Sequence, residues 1–133
     1  DLRELITVAS LIEEETSGAQ ESYKIASVIY NRLYNWGGNP PFLNIDAAIF
    51  YALGEHKEAL TSEDLQVDSP YNIYRYSGLV PGPISNPGRA AIEAALHPAE
   101  SDYYFFVTDP EGNYYYGVTA NDHYNNCVKA GLY

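Results

Sequence analysis

The sequence predicts an α+β fold: a single, mostly helical domain with a small antiparallel sheet that includes a hairpin near residues 103–117. Three observations carry this expectation. Apolar residues recur at helical spacing from Leu2 to Leu53 and again after Pro87. Residues 68–88 fit neither the helical nor the strand period. An aromatic run interrupted by Asp109-Pro110-Glu111-Gly112 reads as two strands and a turn. The 133 residues, 46% of them hydrophobic, suit one core, since domains commonly hold about 100–150 residues.

Leu2, Leu5, Ile6, Ala9 and Ile12 predict a first helix from about Leu2 to Thr16, stopped by Ser17-Gly18. A second, from about Glu21 to Tyr34, carries Ile25, Val28, Ile29 and Leu33 on one stripe, and Gly37-Gly38 and Pro40-Pro41 end it. A third runs from Asp46 to Leu53, with Ala48, Ile49, Ala52 and Leu53 inward and Gly54 just past its end. Thr61-Ser62-Glu63-Asp64-Leu65 reads as a capped turn. The stretch DSPYNIYRYSGLVPGPISNPG, residues 68–88, then breaks all periodicity. An irregular segment this long in a compact domain is either functional or disordered. Tyr71, Ile73, Tyr74, Tyr76, Leu79, Val80 and Ile84 make it too apolar for a solvated tail, so an ordered loop that walls a site is expected. Asn86 as N-cap and Pro87 in the first turn open a fourth helix, with Ala91, Ile92, Ala95 and Leu96 inward and His97-Pro98 closing it. Strands from Tyr103 to Thr108 and from Asn113 to Tyr116 form the hairpin. A last helix starts near Thr119 and carries His123 and Cys127.

Seven basic residues against 18 acidic ones give a net charge of −11. With no basic block to neutralise phosphates, no nucleic-acid partner is expected, and the same balance disfavours charge-driven binding to an anionic membrane. Cys127 is the only cysteine, so no internal disulfide and no cysteine cluster can form. His56, His97 and His123 are scattered without ligand spacing, so no metal is expected. No cofactor is expected either: GLVPGPISNPG has prolines where a phosphate cradle needs N–H groups. No apolar run approaches the roughly 20 residues of a membrane helix. The chain opens inside a helical pattern, as a fragment of a longer protein is expected to.

The end of the first helix, VASLIEEETSG, holds Glu13, Glu14 and Glu15 in a row. On a helical wheel the apolar stripe centres between Ile12 and Leu5, which turns Glu14 to solvent and sets Glu13 and Glu15 on the two borders of the stripe. Spacing alone leaves those two tied. The helix C-terminus and the neighbouring acids both disfavour ionisation, and a carboxyl kept partly protonated near neutral pH suits a general acid. The plainer reading is a charged helix end. Tyr71, Tyr74 and Tyr76, in the irregular tract, can offer flat faces with polar tips to a sugar, whereas the hairpin tyrosines fit a half-buried strand.

Several segments, in order and spacing, resemble the YceG-like endolytic murein transglycosylase family: ASLIEEET, IASVIYNRL, AIFYALG, LTSEDLQVDSPYNIYRYSGLVPGPISNPG, AAIEAALHP and DYYFFVTDPEGNYYYG. The match runs from about Val8 to His123, and SPYNIY followed by GLVPGPISNPG is its most specific part. The family has also carried the label aminodeoxychorismate lyase, which implies pyridoxal phosphate, but the chain has no suitable lysine context. The resemblance implies cleavage inside peptidoglycan glycan strands, between N-acetylmuramic acid and N-acetylglucosamine, leaving a 1,6-anhydro end. It assigns catalysis to the glutamate before threonine in E-x-E-T, which is Glu15. A lytic transglycosylase uses the sugar's own 6-hydroxyl as nucleophile, so one carboxyl can act as acid and then as base, where ordinary glycosidases need two. Tyr71, Asn72 and Tyr74, in the segment matching S-P-Y-N-T-Y, are implied cleft residues, together with Asp46 and Asn86. Asn72 can equally be a tie within the loop. Asn31 and Arg32 match N-R-L and read as an internal brace.

The chain departs from the family at Asn44-Ile45-Asp46-Ala47-Ala48, where Q-S-D-P-T is usual. Asp46 stays, but the two hydroxyls and the proline are absent. By resemblance the chain is a catalytic domain without the family's N-terminal membrane anchor and LysM-like region. The implied location is the outer side of the cell membrane, beside the cell-wall synthesis machinery. The rival readings are a non-catalytic peptidoglycan-binding module and a hydrolytic muramidase.

Overall fold

The computed structural model describes residues 1–16, 18–37, 42–55 and 60–132. The expected stops at Ser17, Gly38, Pro40 and Pro41, and His56, lie outside the described residues. The described elements are α1 (Leu2–Glu15), α2 (Ala19–Tyr34), α3 (Asp46–Leu53), a 3-10 turn (Asp64–Gln66), α4 (Arg89–Leu96), β1 (Phe105–Thr108), β2 (Tyr114–Gly117) and α5 (Ala120–Lys129). This is the α+β class expected from the sequence, and the 3-10 turn overlaps the end of the expected capped turn, running one residue past it. None of the described helices is long and apolar enough to cross a membrane.

Helix α4 packs against both α1 and α2. It does so through Ala91, Ala94 and Ala95, all buried, and such small side chains let helices approach closely. Val8, Ala9, Leu11 and Ile12 of α1 and Ile25, Ala26 and Ile29 of α2 complete that core. Leu43, Ile45 and Ala48 join it from the α3 segment, and Ile73 and Val80 from the irregular tract. Of the apolar residues at helical spacing, Leu2 is 73% exposed and Leu96 is 52% exposed. Both are terminal helix residues, beyond the stretch where the helices pack. Leu11 has no exposed surface. Leu11→Ala is therefore expected to cost about 2–5 kcal/mol, from lost transfer energy and the cavity left behind. A lower urea midpoint with an unchanged slope would show this.

Residues 68–88 are ordered by named contacts. The Ser10 Oγ in α1 accepts from the Ile84 amide at 3.0 Å, and the Ser10 carbonyl accepts from the Ser85 hydroxyl at 3.1 Å. Arg3 Nη2 donates to the Pro81 carbonyl at 2.9 Å. The tract thus lies along α1 as an expected wall. The expected cap of α4 is different. Gly88, not Asn86, stands at the N-cap, and the helix begins at Arg89. The acceptor comes from another helix: the Gly88 amide donates to Glu13 Oε1 at 2.7 Å.

The hairpin pairs Phe105 with Gly117 and Thr108 with Tyr114. In its turn, Asp109 Oδ1 accepts from the amides of Glu111 at 3.0 Å and Asn113 at 2.8 Å, and Gly112 takes a φ of 89° that favours glycine. A two-stranded ribbon is marginal alone. Here α5 packs on both strands, and Asn126 Nδ2 donates to the Tyr116 carbonyl at 3.0 Å.

Candidate active site

Glu15 is the last residue of α1. Thr16 is already extended, with φ −150° and ψ 149°. That turn ends the helix with the Glu15 side chain half-buried and facing the first turn of α3. There the backbone amide of Ala47 faces the Glu15 carboxyl and favours its charged form. Asp46, the first residue of α3, is exposed and accepts a hydrogen bond from the Tyr74 hydroxyl on Oδ1. The same hydroxyl lies 3.2 Å from the Asn44 carbonyl oxygen.

Two cavities meet at these groups. One, of about 380 Å³, is lined by Glu14, Ala47, Phe50, Tyr51 and Ile84 as well as Glu15 and Asp46. The other, of about 530 Å³, is lined by Glu15, Asp46, Tyr74, Arg32, His123 and strand β1. Both sizes fall in the range of small-molecule sites, roughly 300–1,000 Å³. Glu15 and Asp46 line both cavities, so these form two arms of one cleft with the carboxylates between them.

The Glu15 carboxyl has its pKa pushed up to about 7. Burial is the main cause and the Asp46 charge the second. The Ala47 amide opposes them, and Glu14 adds a little more upward push. The helix end and neighbouring acids expected from the sequence are therefore not the principal origin. The dominant charge comes from another helix. Tyr74 is held well above the usual phenol range by burial, by its hydrogen bond to Asp46, and by the charges of Asp46 and Glu15. It remains a hydrogen-bond donor throughout the physiological range.

The structure separates the two glutamates that spacing left tied. Glu13 turns to the start of α4 and binds the Gly88 amide, while Glu15 turns to the cleft. Glu14 is exposed, as expected, and also borders the smaller arm. Glu13→Ala is expected to lower stability by about 1 kcal/mol through the lost hydrogen bond at the helix start. Urea unfolding measures this; a loss above about 3 kcal/mol would mean Glu13 holds more than one amide.

Among the other expected cleft residues, Tyr74 and Asp46 line the cleft. Tyr71 stands behind it: its ring packs against Tyr51 at 4.8 Å between centroids, and Tyr51 lines the smaller arm. Asn72 is 0% exposed and offers no surface to a sugar. Its Nδ2 donates to the carbonyls of Leu65 and Val67, both at 2.9 Å, and its Oδ1 accepts from the Tyr74 amide at 3.1 Å. Asn72 is thus the loop tie and not a direct cleft group. Asn86 is exposed and lines neither arm. Asn31 braces the chain before β1, donating to the Ser101 and Tyr103 carbonyls at 2.9 Å each.

Sequence reasoning did not foresee the far wall of the larger arm. Arg32 Nη1 donates to the Tyr104 carbonyl at 2.9 Å, and Nη2 donates to the Phe42 carbonyl. Its guanidinium also lies 5.2 Å from the Phe105 ring centroid. The His123 ring stacks on Phe105 with centroids 5.1 Å apart, and burial together with the Arg32 charge lowers its pKa. Strand β1 is half-buried along its whole length and shows no alternation that would mark one face as a cleft wall.

The model of the YceG-like family matches residues 1–129. The endolytic murein transglycosylase of Bacillus subtilis (strain 168) is 44% identical over 92% of this chain and 33% of its own length. That of Streptococcus pneumoniae serotype 2 (strain D39) is 38% identical over 96% of the chain and 24% of its own length. A crystal structure of a YceG-like protein from Listeria monocytogenes superposes with a TM-score of 0.85 at 43% identity, covering 94% of this chain and 40% of that one. The chain therefore spans about a quarter to a third of the length of the curated relatives it matches.

Proposed function

As the chain belongs to the YceG-like family, we propose that it is the catalytic domain of a longer lytic transglycosylase that cuts peptidoglycan strands internally. The observation that carries this reading is Glu15, with its pKa pushed up to about 7, between two arms of one cleft. An endolytic enzyme needs room for sugars on both sides of the bond it breaks, and it needs an acid that still holds its proton near neutral pH. The names of the relatives support the same reading.

In this mechanism Glu15 gives its proton to the oxygen joining N-acetylmuramic acid C1 to N-acetylglucosamine C4. The C1–O bond breaks, its electron pair goes to that oxygen, and N-acetylglucosamine leaves with a free 4-hydroxyl. The muramic 6-hydroxyl oxygen then bonds to C1, and the Glu15 carboxylate takes its proton. The product is a 1,6-anhydro end, and the acid is regenerated. No water is consumed. The Ala47 amide supports the carboxylate form that exists between the two proton transfers.

One observation favours a second reading, a hydrolytic muramidase: Asp46 lies close enough to Glu15 to raise its pKa, and hydrolytic glycosidases use paired carboxylates. Digestion of purified peptidoglycan in ¹⁸O-enriched water separates the two. The lytic reaction leaves new muramic ends without the label, whereas hydrolysis places one ¹⁸O on each. The proposed setting, from the family resemblance, is the outer side of the cell membrane with the cell-wall synthesis machinery as neighbour. Crosslinking in cells expressing the full-length protein tests it.

A further inference from the structure

The hydroxyl of Tyr74 is held between Asp46 Oδ1 and the Asn44 carbonyl oxygen. Asn44 turns its backbone through the left-handed region, φ 56°, the one non-glycine residue to do so among those described. Few residues other than glycine adopt such a turn, and two residues later the chain enters α3. The next residue of α3, Ala47, lines the smaller arm beside Glu15, and its amide favours the charged form of that carboxyl. Asn44, Tyr74, Asp46 and Ala47 therefore form one connected arrangement that ends on the Glu15 carboxyl. With Oδ1 engaged by Tyr74, Asp46 is held beside that carboxyl and cannot swing freely into the open cleft.

The groups around Glu15 leave Asp46 as its main external charge. Glu14 lies on the same helix and has a smaller influence. The Tyr114 hydroxyl, from β2, lies 3.4 Å from the Glu15 backbone carbonyl. On the far wall Arg32 donates to the Tyr104 and Phe42 carbonyls, and His123 is pushed towards its neutral form. Neither supplies Glu15 with a counter-ion. Glu55 borders the smaller arm, at the far end of α3.

We propose that Asp46, locked by Tyr74, is a positioning anion for the Glu15 proton and acts through Glu15 rather than on the sugar. The inference rests on the proposal that Glu15 is the acid. A fixed negative charge beside Glu15 serves both halves of the reaction. It keeps the proton on the carboxyl until the glycosidic oxygen takes it, and it makes the resulting carboxylate a stronger base towards the 6-hydroxyl.

The test is a ¹³C NMR titration of the Glu15 side-chain carboxyl in the chain, in Asp46→Asn and in Tyr74→Phe. The Glu15 signal is identified by its loss in Glu15→Gln. The midpoint is expected to fall in Asp46→Asn by on the order of one pH unit, and by a smaller amount in Tyr74→Phe, where Asp46 keeps its charge but loses its anchor. The alkaline limb of the cleavage pH profile should move to lower pH by the same amounts, with KM little changed. An unshifted midpoint in a folded Asp46→Asn overturns the proposal. So does a raised KM with an unshifted profile, which would make Asp46 a sugar contact. If Asp46→Asn does not fold, Tyr74→Phe decides alone, and no shift in it counts against the proposal. The titration needs no turnover. Shifted midpoints in a protein that releases no anhydro ends would support the role of Asp46 and reject the reaction proposed for Glu15.

Discussion

Glu15→Gln is expected to slow glycan cleavage by about 10²–10⁴-fold, the usual contribution of a positioned acid and base, while glycan binding persists. Glutamine keeps the shape of glutamate and an oxygen for the Ala47 amide, but it has no carboxyl proton to give. The same substitution carries a pH signature. The Glu15 pKa is raised from 4.5 to about 7 on folding, so the folded chain binds that proton more tightly than the unfolded chain does. Stability present below the unfolded value is lost as pH rises through the folded one. Glutamine has no such dependence. The variant should therefore match the parent chain at pH 4 and exceed it at pH 8 by up to about 3 kcal/mol. Urea unfolding at the two pH values checks this, and equal stabilities at pH 8 would mean that Glu15 ionises freely. The cleavage rate should likewise decline above about pH 7, as Glu15 loses the proton it must donate.

Asn72→Asp is expected to lower the melting temperature by about 10 °C or more. The exchange keeps the volume but replaces two N–H donors with an acceptor facing the Leu65 and Val67 carbonyls, in a position with 0% exposure. A buried charge without a partner costs about 3–5 kcal/mol, and each kcal/mol shifts the midpoint of a domain this size by several degrees. Activity should fall as a consequence, because Asn72 also accepts from the amide of Tyr74, which stands in the cleft. Thermal unfolding followed by circular dichroism measures the effect. An unchanged melting temperature with lost cleavage would instead mean that Asn72 contacts the sugar.

The helices and the hairpin were legible because their signals are local: helical periodicity in α1 to α4, aromatic strands and the Asp109–Gly112 turn. What local signals missed came from elsewhere in the chain. The cap of α4 is the side chain of Glu13, which lies 75 residues away in sequence, so Asn86 looked like a cap and is not one. The wheel set Glu13 and Glu15 on opposite borders of one stripe but held no information on what each border would meet. One meets the start of α4 and the other the start of α3. For Asn72 the sequence left a cleft contact and a loop tie open, because a motif fixes a residue's identity without telling which carbonyls surround it. Arg32 read as a brace, and it is one, but its place on the cleft wall depends on β1 folding over α2.

The decisive measurement is mass analysis of the muropeptides released from purified peptidoglycan by this chain and by Glu15→Gln. The expected result is 1,6-anhydro ends from the chain and none above background from the variant. Anhydro ends from both would show that the proton comes from a group other than Glu15, and water-added reducing ends from the chain would show a hydrolase.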